Sequence, residues 1–317
     1  MSIVTLTMNP AVDASTTVAR VIPKLKLRCA EMRRDPGGGG INVARVVARM
    51  GGPVCAIFPA GGHNGDILRR LVEMDVTSCE IVPISGETRE NVNVREDATG
   101  DQYRFIFPGP RLRAGERDAC LRSVASLRPV PKFFVISGGL PVGVEADFIA
   151  SVIKEAKRLG CRVVADASGP ALAAALDEGV FLVKPNLREL EDLVGSSLGG
   201  RAAALSACRT LIKAKKANVV ALTLGAEGAI LVTQDVVREA PALQVDKKSE
   251  IGAGDSFVGA FVWALDSGRD LEEAFRFGMA AGAAALIAPG TQLSRRDDVV
   301  RLVKDVSVSI VTLPQAG

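Results

Sequence analysis

The stretch SEIGAGDSFVGA, residues 249–260, sets three small residues, Gly252, Ala253 and Gly254, ahead of Asp255 and an apolar helical run (Phe257, Val258, Ala260, Phe261). A glycine-rich turn that opens a helix leaves backbone N–H groups bare where the helix dipole is positive, which makes an anion site. A carboxylate at the mouth of an anion site needs a reason. One reading is a plain helix entry with Asp255 as a cap. The other is phosphoryl transfer. The amides of 252–254 would hold the equatorial oxygens of a phosphoryl group in flight, while Asp255 takes the proton of the incoming hydroxyl. Attraction and repulsion then fall on different atoms, and a loose transition state needs only a weak base. Three other phosphate signatures are excluded. The chain has no Gly-Lys dipeptide for a Walker A loop, Phe257 stands where a dinucleotide fingerprint wants glycine, and His-Arg-Asp does not occur.

Working outward, short β-branched runs alternate with helical patterns. Strands are expected at 3–7, 54–58, 133–137, 162–166, 181–184 and 219–224, and helices at 41–50, 64–74, 145–159, 201–216 and 254–267. Continuous apolar strands between helices predict a parallel sheet covered on both faces, an α/β fold. Gly160 and Gly179 are placed to stop helices. Segments 14–34 and 87–108 break the rhythm. They are β-like, rich in charge (Lys24, Lys26, Arg28, Arg33, Arg34, Arg89, Arg104), and read as strands of a small second layer. The tail from 307 on carries no signal.

The 317 residues suffice for a large core. A net charge of +3 is too small to favour nucleic acid or membrane over the whole surface, and 4% aromatics leave little for base stacking. Six scattered cysteines, with no Cys-x-x-Cys pair, are expected as buried free thiols. With His63 the single histidine, zinc is not expected, and His63 itself reads as a loop residue. The N-terminus reads as a strand and the longest apolar run is too short for a bilayer, so a cytoplasmic protein is expected.

In a parallel sheet ligands bind at the carboxyl ends of the strands. MNPAVD (ending at Asp13), SGGLP, ASG, KPNLRE and LGAEG are expected at such ends, and IGAGD after a polar loop that follows LQVD. The run DPGGGGINVARVVARMGG (35–52) puts four glycines before a helix with Asn42 in its first turn, which lets backbone approach a ligand. Asn186 and Glu189 lie three apart at a helix start. They suit Mg²⁺ held partly through water, and equally a capping pair.

Together, PGGGGINVARVVARMGG, Asn186-x-x-Glu189 and SEIGAGDSFVGAF resemble the PfkB (ribokinase-like) family of carbohydrate kinases over nearly the whole chain. TLTMNPAVD, KLRC, AIFPAGG, TRENVNV, GDQYRF and VISGGLP look like its 6-phosphofructokinase branch. The resemblance implies one ribokinase-like domain over 1–317: a three-layer α/β/α fold with a mostly parallel central sheet and a small β-sheet lid from 14–34 and 87–108. It implies ATP-dependent phosphorylation of the 1-hydroxyl of fructose 6-phosphate, with Asp255 as base and Gly252, Ala253 and Gly254 as anion hole. Asp13, Gly38, Gly39 and Asn42 would hold sugar hydroxyls, and Lys26, Arg89 and Arg104 the sugar's phosphate. Lys184, Asn186, Thr223, Gly225 and Gly228 would face ATP, with Asn186 and Glu189 on Mg²⁺. A K⁺ site would use mainly backbone at Ser249, Ile251, Ala285 and Gly290. The lid would also make a homodimer contact. Where relatives read Gly-Ser-Leu-Pro, this chain has Gly138-Gly139-Leu140, so a hydroxyl is missing beside the sugar. Alternatives are 1-phosphofructokinase, tagatose-6-phosphate kinase and a non-catalytic sugar-phosphate sensor.

Overall fold

The computed structural model describes residues 2–311. In chain order the strands are β1 (Ile3–Leu6), β2 (Ala11–Val18), β3 (Arg33–Gly37), β4 (Val54–Ala60), β5 (Cys79–Pro83), β6 (Arg89–Glu96), β7 (Gln102–Phe105), β8 (Phe133–Ser137), β9 (Arg162–Asp166), β10 (Val180–Val183), β11 (Ala217–Thr223), β12 (Ala229–Val232), β13 (Val237–Ala240) and β14 (Ser309–Ile310). The helices are α1 (Gly39–Arg49), α2 (Gly62–Asp75), α3 (Ala114–Ala125), α4 (Ala146–Leu159), α5 (Gly169–Glu178), α6 (Leu187–Val194), α7 (Arg201–Lys213), α8 (Ala253–Asp266), α9 (Leu271–Leu286) and α10 (Arg296–Leu302).

Ten strands form the main sheet in the order β14-β13-β12-β11-β10-β9-β8-β1-β4-β5. From β11 to β5 every pairing is parallel, while β12, β13 and β14 extend the β11 edge antiparallel. Alternation along each strand divides the core. Ile3, Phe133, Val135, Val164 and Leu182 pack under α1, α2, α8, α9 and α10. Val4, Leu6, Phe134, Ile136 and Val183 pack under α3 to α7. Burial on both faces is why these strands read as unbroken apolar runs. Among the described residues no helix is long and apolar enough to cross a membrane.

A second sheet, β3-β2-β6-β7, holds the off-rhythm strands, with β2 and β6 parallel and both outer pairs antiparallel. Its bounds differ from the β-like segments of the sequence. β2 starts at Ala11, and between Val18 and Arg33 the chain touches strand geometry only at an isolated Val18–Cys29 bridge. Pro23 and a left-handed Lys24 (φ 67°) break any strand there. Two further expectations are corrected. His63 lies exposed in the first turn of α2, because that helix begins at Gly62. Of the cysteines, Cys55, Cys120, Cys161 and Cys208 are buried, but Cys79 is half-buried and Cys29 exposed, since the segment carrying Cys29 lies outside the core. Of the tail, Ser309–Ile310 pairs with β13, and 312–317 lies outside the described residues.

Candidate active site

The carboxyl ends of adjacent strands deliver Thr223 (β11), Lys184 (just past β10), Asp166 (β9) and Ser137 (β8) side by side. Lys184, 6% exposed, pairs with Asp166 at 3.1 Å. Burial alone would pull its pKa down, but Asp166, Glu189 and Asp255 outweigh that and raise it, so the ammonium is held charged. Above this edge stands the N-terminus of α8. Gly252 is its N-cap in the left-handed region, and no side chain caps it. By helix geometry the first amides have no intrahelical partner. Lys184 Nζ lies 3.2 Å from where a Cβ on Gly254 would sit, so the cation and the bare amides face one space.

Asp255 occupies the first turn of α8, half-buried. Its Oδ2 accepts from Asn42 Nδ2 at 2.9 Å and its Oδ1 from Ser137 Oγ at 3.4 Å. Ser137 is also 3.4 Å from Asp166 Oδ2, bridging the two carboxylates. Burial, then the Asp166 charge, push the Asp255 carboxyl up to about 6, against the opposing pull of Asn42, Lys184 and Ser137. That is a weak base close to neutral pH, and no hydrogen bond marks it as a helix cap.

On the side of the second sheet, Asp13 on β2 is held by Asn91 Nδ2 at 2.8 Å. Burial raises its pKa, with Arg89 and Arg104 favouring the charge. Its carboxylate fills the place of a Cβ on Gly37, 2.3 Å from Oδ2, so only glycine fits there. Gly39 is equally constrained, since an added Cβ would lie 2.2 Å from Ser137 Oγ. Arg89 donates to the carbonyls of Asn9 (2.8 Å), Phe107 (3.0 Å) and Pro10 (3.4 Å), leaving two of five N–H groups for an anion. Arg104 is exposed on β7. Lys26 is exposed on the 19–32 crossing and makes no ion pair among the described residues. Gly37, Asn91, Ser137 and Asp166 had no individual place in the sequence reading. Only the four-glycine run and the strand-end rule hinted at them.

On the other side of α8 a cleft of about 480 Å³ is lined by Asn186, Thr223, Gly225, Gly228, Gly254 and Phe257, among others. Thr223 meets Asn186 in a parallel bridge, which brings the ends of β10 and β11 together. Asn186 and Glu189 form a full capping box on α6: Asn186 Oδ1 accepts from Glu189 N at 2.8 Å and Glu189 Oε2 from Asn186 N at 2.9 Å. Both carboxamide and carboxylate keep unused lone pairs, and Asn186 lines the cleft. Among the described residues no cluster of three His, Cys, Asp or Glu is placed to hold a metal alone. An oxygen pair of this kind fits a hydrated Mg²⁺ shared with phosphates. Beside α8, buried Ser249 donates to Gly290 O at 2.7 Å and receives Ile251 N at 3.2 Å. This draws 249–251 against the loop after α9, while Ala285 O accepts from Ala288 N.

The model of the pfkB family carbohydrate kinases matches residues 4–298. The chain belongs to the pfkB family. Among relatives of this pfkB kinase, the ATP-dependent 6-phosphofructokinase isozyme 2 of Mycobacterium tuberculosis is 42% identical over 299 residues, covering 94% of this chain and 88% of that one. The enzyme of the same name from Escherichia coli is 39% identical over 301 residues, covering 95% and 97%. A 1-phosphofructokinase of Rhodobacter capsulatus is 33% identical over 319 residues, covering 99% of each. The Escherichia coli phosphofructokinase-2 solved with substrates and products superposes with a TM-score of 0.92 at 39% identity, covering 96% of this chain and 99% of that one. That enzyme has also been solved with fructose-6-phosphate, with potassium, and as a tetrameric inhibited form. A pfkB kinase with a ribokinase-like fold is thus described by sequence and architecture together.

Proposed function

We propose that this chain is an ATP-dependent 6-phosphofructokinase, moving the γ-phosphoryl group of ATP to the 1-hydroxyl of fructose 6-phosphate. The observation that carries the reading is Asp255: a carboxylate raised toward neutrality, gripped by Asn42, at the uncapped N-terminus of α8, between a basic lid and a nucleotide-sized cleft. Asp255 accepts the hydroxyl proton as the oxygen bonds to γ-phosphorus. The bond from phosphorus to the β–γ bridging oxygen breaks and ADP leaves. The amides at 252–254 and Lys184 meet the charge of the equatorial oxygens. Asp13, Gly38, Gly39 and Asn42 orient the sugar, with Arg89, Arg104 and Lys26 on its existing phosphate, a dianion that suits guanidinium and ammonium donors.

Thr223, Gly225 and Gly228 border the nucleotide. Asn186 and Glu189 would hold Mg²⁺, partly through water, which supplies charge neutralisation on the phosphates. Carbonyls near Ser249, Ile251, Ala285 and Gly290 are the candidate K⁺ ligands. The lid leaves Leu25, Met32, Tyr103, Phe105, Ile106 and Phe107 exposed, which favours a second copy of the chain against it. Gly139 supports a second reading, in which the preferred phosphosugar is fructose 1-phosphate or tagatose 6-phosphate. ADP release with Mg-ATP and K⁺ on these three phosphosugars and on fructose tests both. Highest kcat/KM on fructose 6-phosphate, falling about 10²–10⁴-fold in Asp255→Asn with sugar binding retained, is expected. Near-normal turnover in Asp255→Asn would remove the base from the mechanism.

A further inference from the structure

Asn42 and Arg45 stand three residues apart on α1 and share a face. Asn42 presents its Nδ2 to Asp255. A carboxamide has a donor end and an acceptor end, and its other neighbours decide which end meets a carboxylate. Here that neighbour is Arg45, whose Nη1 lies 3.4 Å from Asn42 Oδ1. A guanidinium has no acceptor, so it can meet only the oxygen end. Arg45 is 2% exposed and fixed from three other directions. Nε donates to Asp75 Oδ2 at 2.8 Å, Nη1 to Pro36 O at 3.1 Å, and Nη2 is 3.9 Å from Asp35 Oδ1. Asp35 is in turn bonded by Thr291 Oγ1 at 2.7 Å. Burying a cation is costly unless it is paired this fully, and substrate binding as described above does not use it.

We propose that Arg45 is a positioning residue for phosphoryl transfer: it locks the Asn42 amide with its NH₂ toward Asp255, so that Oδ2 stays bonded and Oδ1, which accepts only the long Ser137 bond, keeps a lone pair for the sugar hydroxyl. The inference rests on Asp255 as the base. With the amide reversed, two oxygens would face each other and the carboxylate would be disfavoured. The charged groups facing Asp255 are Asp166 and Lys184 from the strand ends. Asn42 faces it from α1 and Ser137 from β8, while Arg45 acts through Asn42.

Arg45→Lys keeps the charge and loses the fork. The expected result is a fall in kcat of about 10–100-fold, the loss typical when the partner that orients a ligating side chain is removed. The KM for ATP should stay within about twofold. The acid limb of kcat/KM should move to higher pH by roughly 0.5–1, because the carboxylate loses a donor. The substrate phosphate titrates near pH 6 as well, so the quantity read is the difference between wild type and variant. In a double-mutant cycle, Asn42→Ala/Arg45→Lys should be no slower than Asn42→Ala. An unmoved limb, or additive losses, overturns the proposal. A measurement on the unaltered Arg45 guards against a misfolded variant. In protein labelled with ¹⁵N-asparagine, the Asn42 side-chain amide, assigned by its loss in Asn42→Ala, should titrate with Asp255 and stop doing so in Asp255→Asn. An amide that ignores Asp255 overturns the proposal. Full turnover in Asp255→Asn would instead unseat the base and leave the amide orientation to the spectrum.

Discussion

Asp255 carries two opposed demands. As the proposed base it must be ionised, yet burial and Asp166 raise its pKa from 3.8 to about 6. Between those values the folded state holds more protons at this site than the unfolded chain, so its contribution to stability falls as pH rises through the window. At pH 7.5 the carboxylate is a standing cost. Asp255→Asn should therefore raise the Tm at pH 7.5 by roughly 2–6 °C and by less at pH 5, read by calorimetry at both. An unchanged or lower Tm at pH 7.5 would mean that the site tolerates the charge. Gly139 is the reverse case. A Cβ there meets nothing within 4 Å, so Gly139→Ser should fold with an unchanged Tm. Its KM for fructose 6-phosphate should fall if the missing hydroxyl matters, and a KM identical to wild type would clear Gly139 of a role in sugar preference.

The start of α6 carries a cap on residues that the proposed function also gives to Mg²⁺. The capping box of Asn186 and Glu189 satisfies amides that a helix otherwise leaves bare. Asn186 also lines the cleft beside α8, where the proposed function places the nucleotide. The sequence could not separate a cap from a metal pair, and the structure shows the cap. Glutamine at the third position can keep the cap while losing the charge. Glu189→Gln should thus hold its Tm within about 1 °C yet need several-fold more Mg²⁺ for half-maximal turnover. Asn186→Ala should lose about 1 kcal/mol of helix stability. A Glu189→Gln enzyme with unchanged Mg²⁺ dependence would reduce the pair to a cap alone. The main-sheet strands were legible as unbroken apolar runs buried on both faces, and the helices by their 3.6-residue period. The 19–32 crossing was not, since its charges and β-branched residues look strand-like while Pro23 and Lys24 forbid pairing.

At the scale of the molecule, the lid sheet presents aromatic and aliphatic side chains on β7 and the 22–32 segment to solvent. Phe105→Asp should shift the oligomer toward monomer by light scattering and lower turnover with it. A wild-type chain that is already monomeric at micromolar concentration would refute a lid-mediated dimer. By itself the sequence determined the α/β class, the parallel sheet, the separate β layer and the motif at Asp255. Periodicity, glycine runs and helix entries depend only on neighbours along the chain. Tertiary structure alone decided which motifs meet. Strand order β8-β9-β10 set Ser137, Asp166 and Lys184 in a row, and the packing of α1 on α8 brought Asn42 to Asp255 across 213 residues. It also turned three donors of Arg89 onto backbone carbonyls and gave the Asn42 amide its direction through Arg45. Such contacts follow from how whole layers stack, and no local pattern encodes the stacking of distant segments.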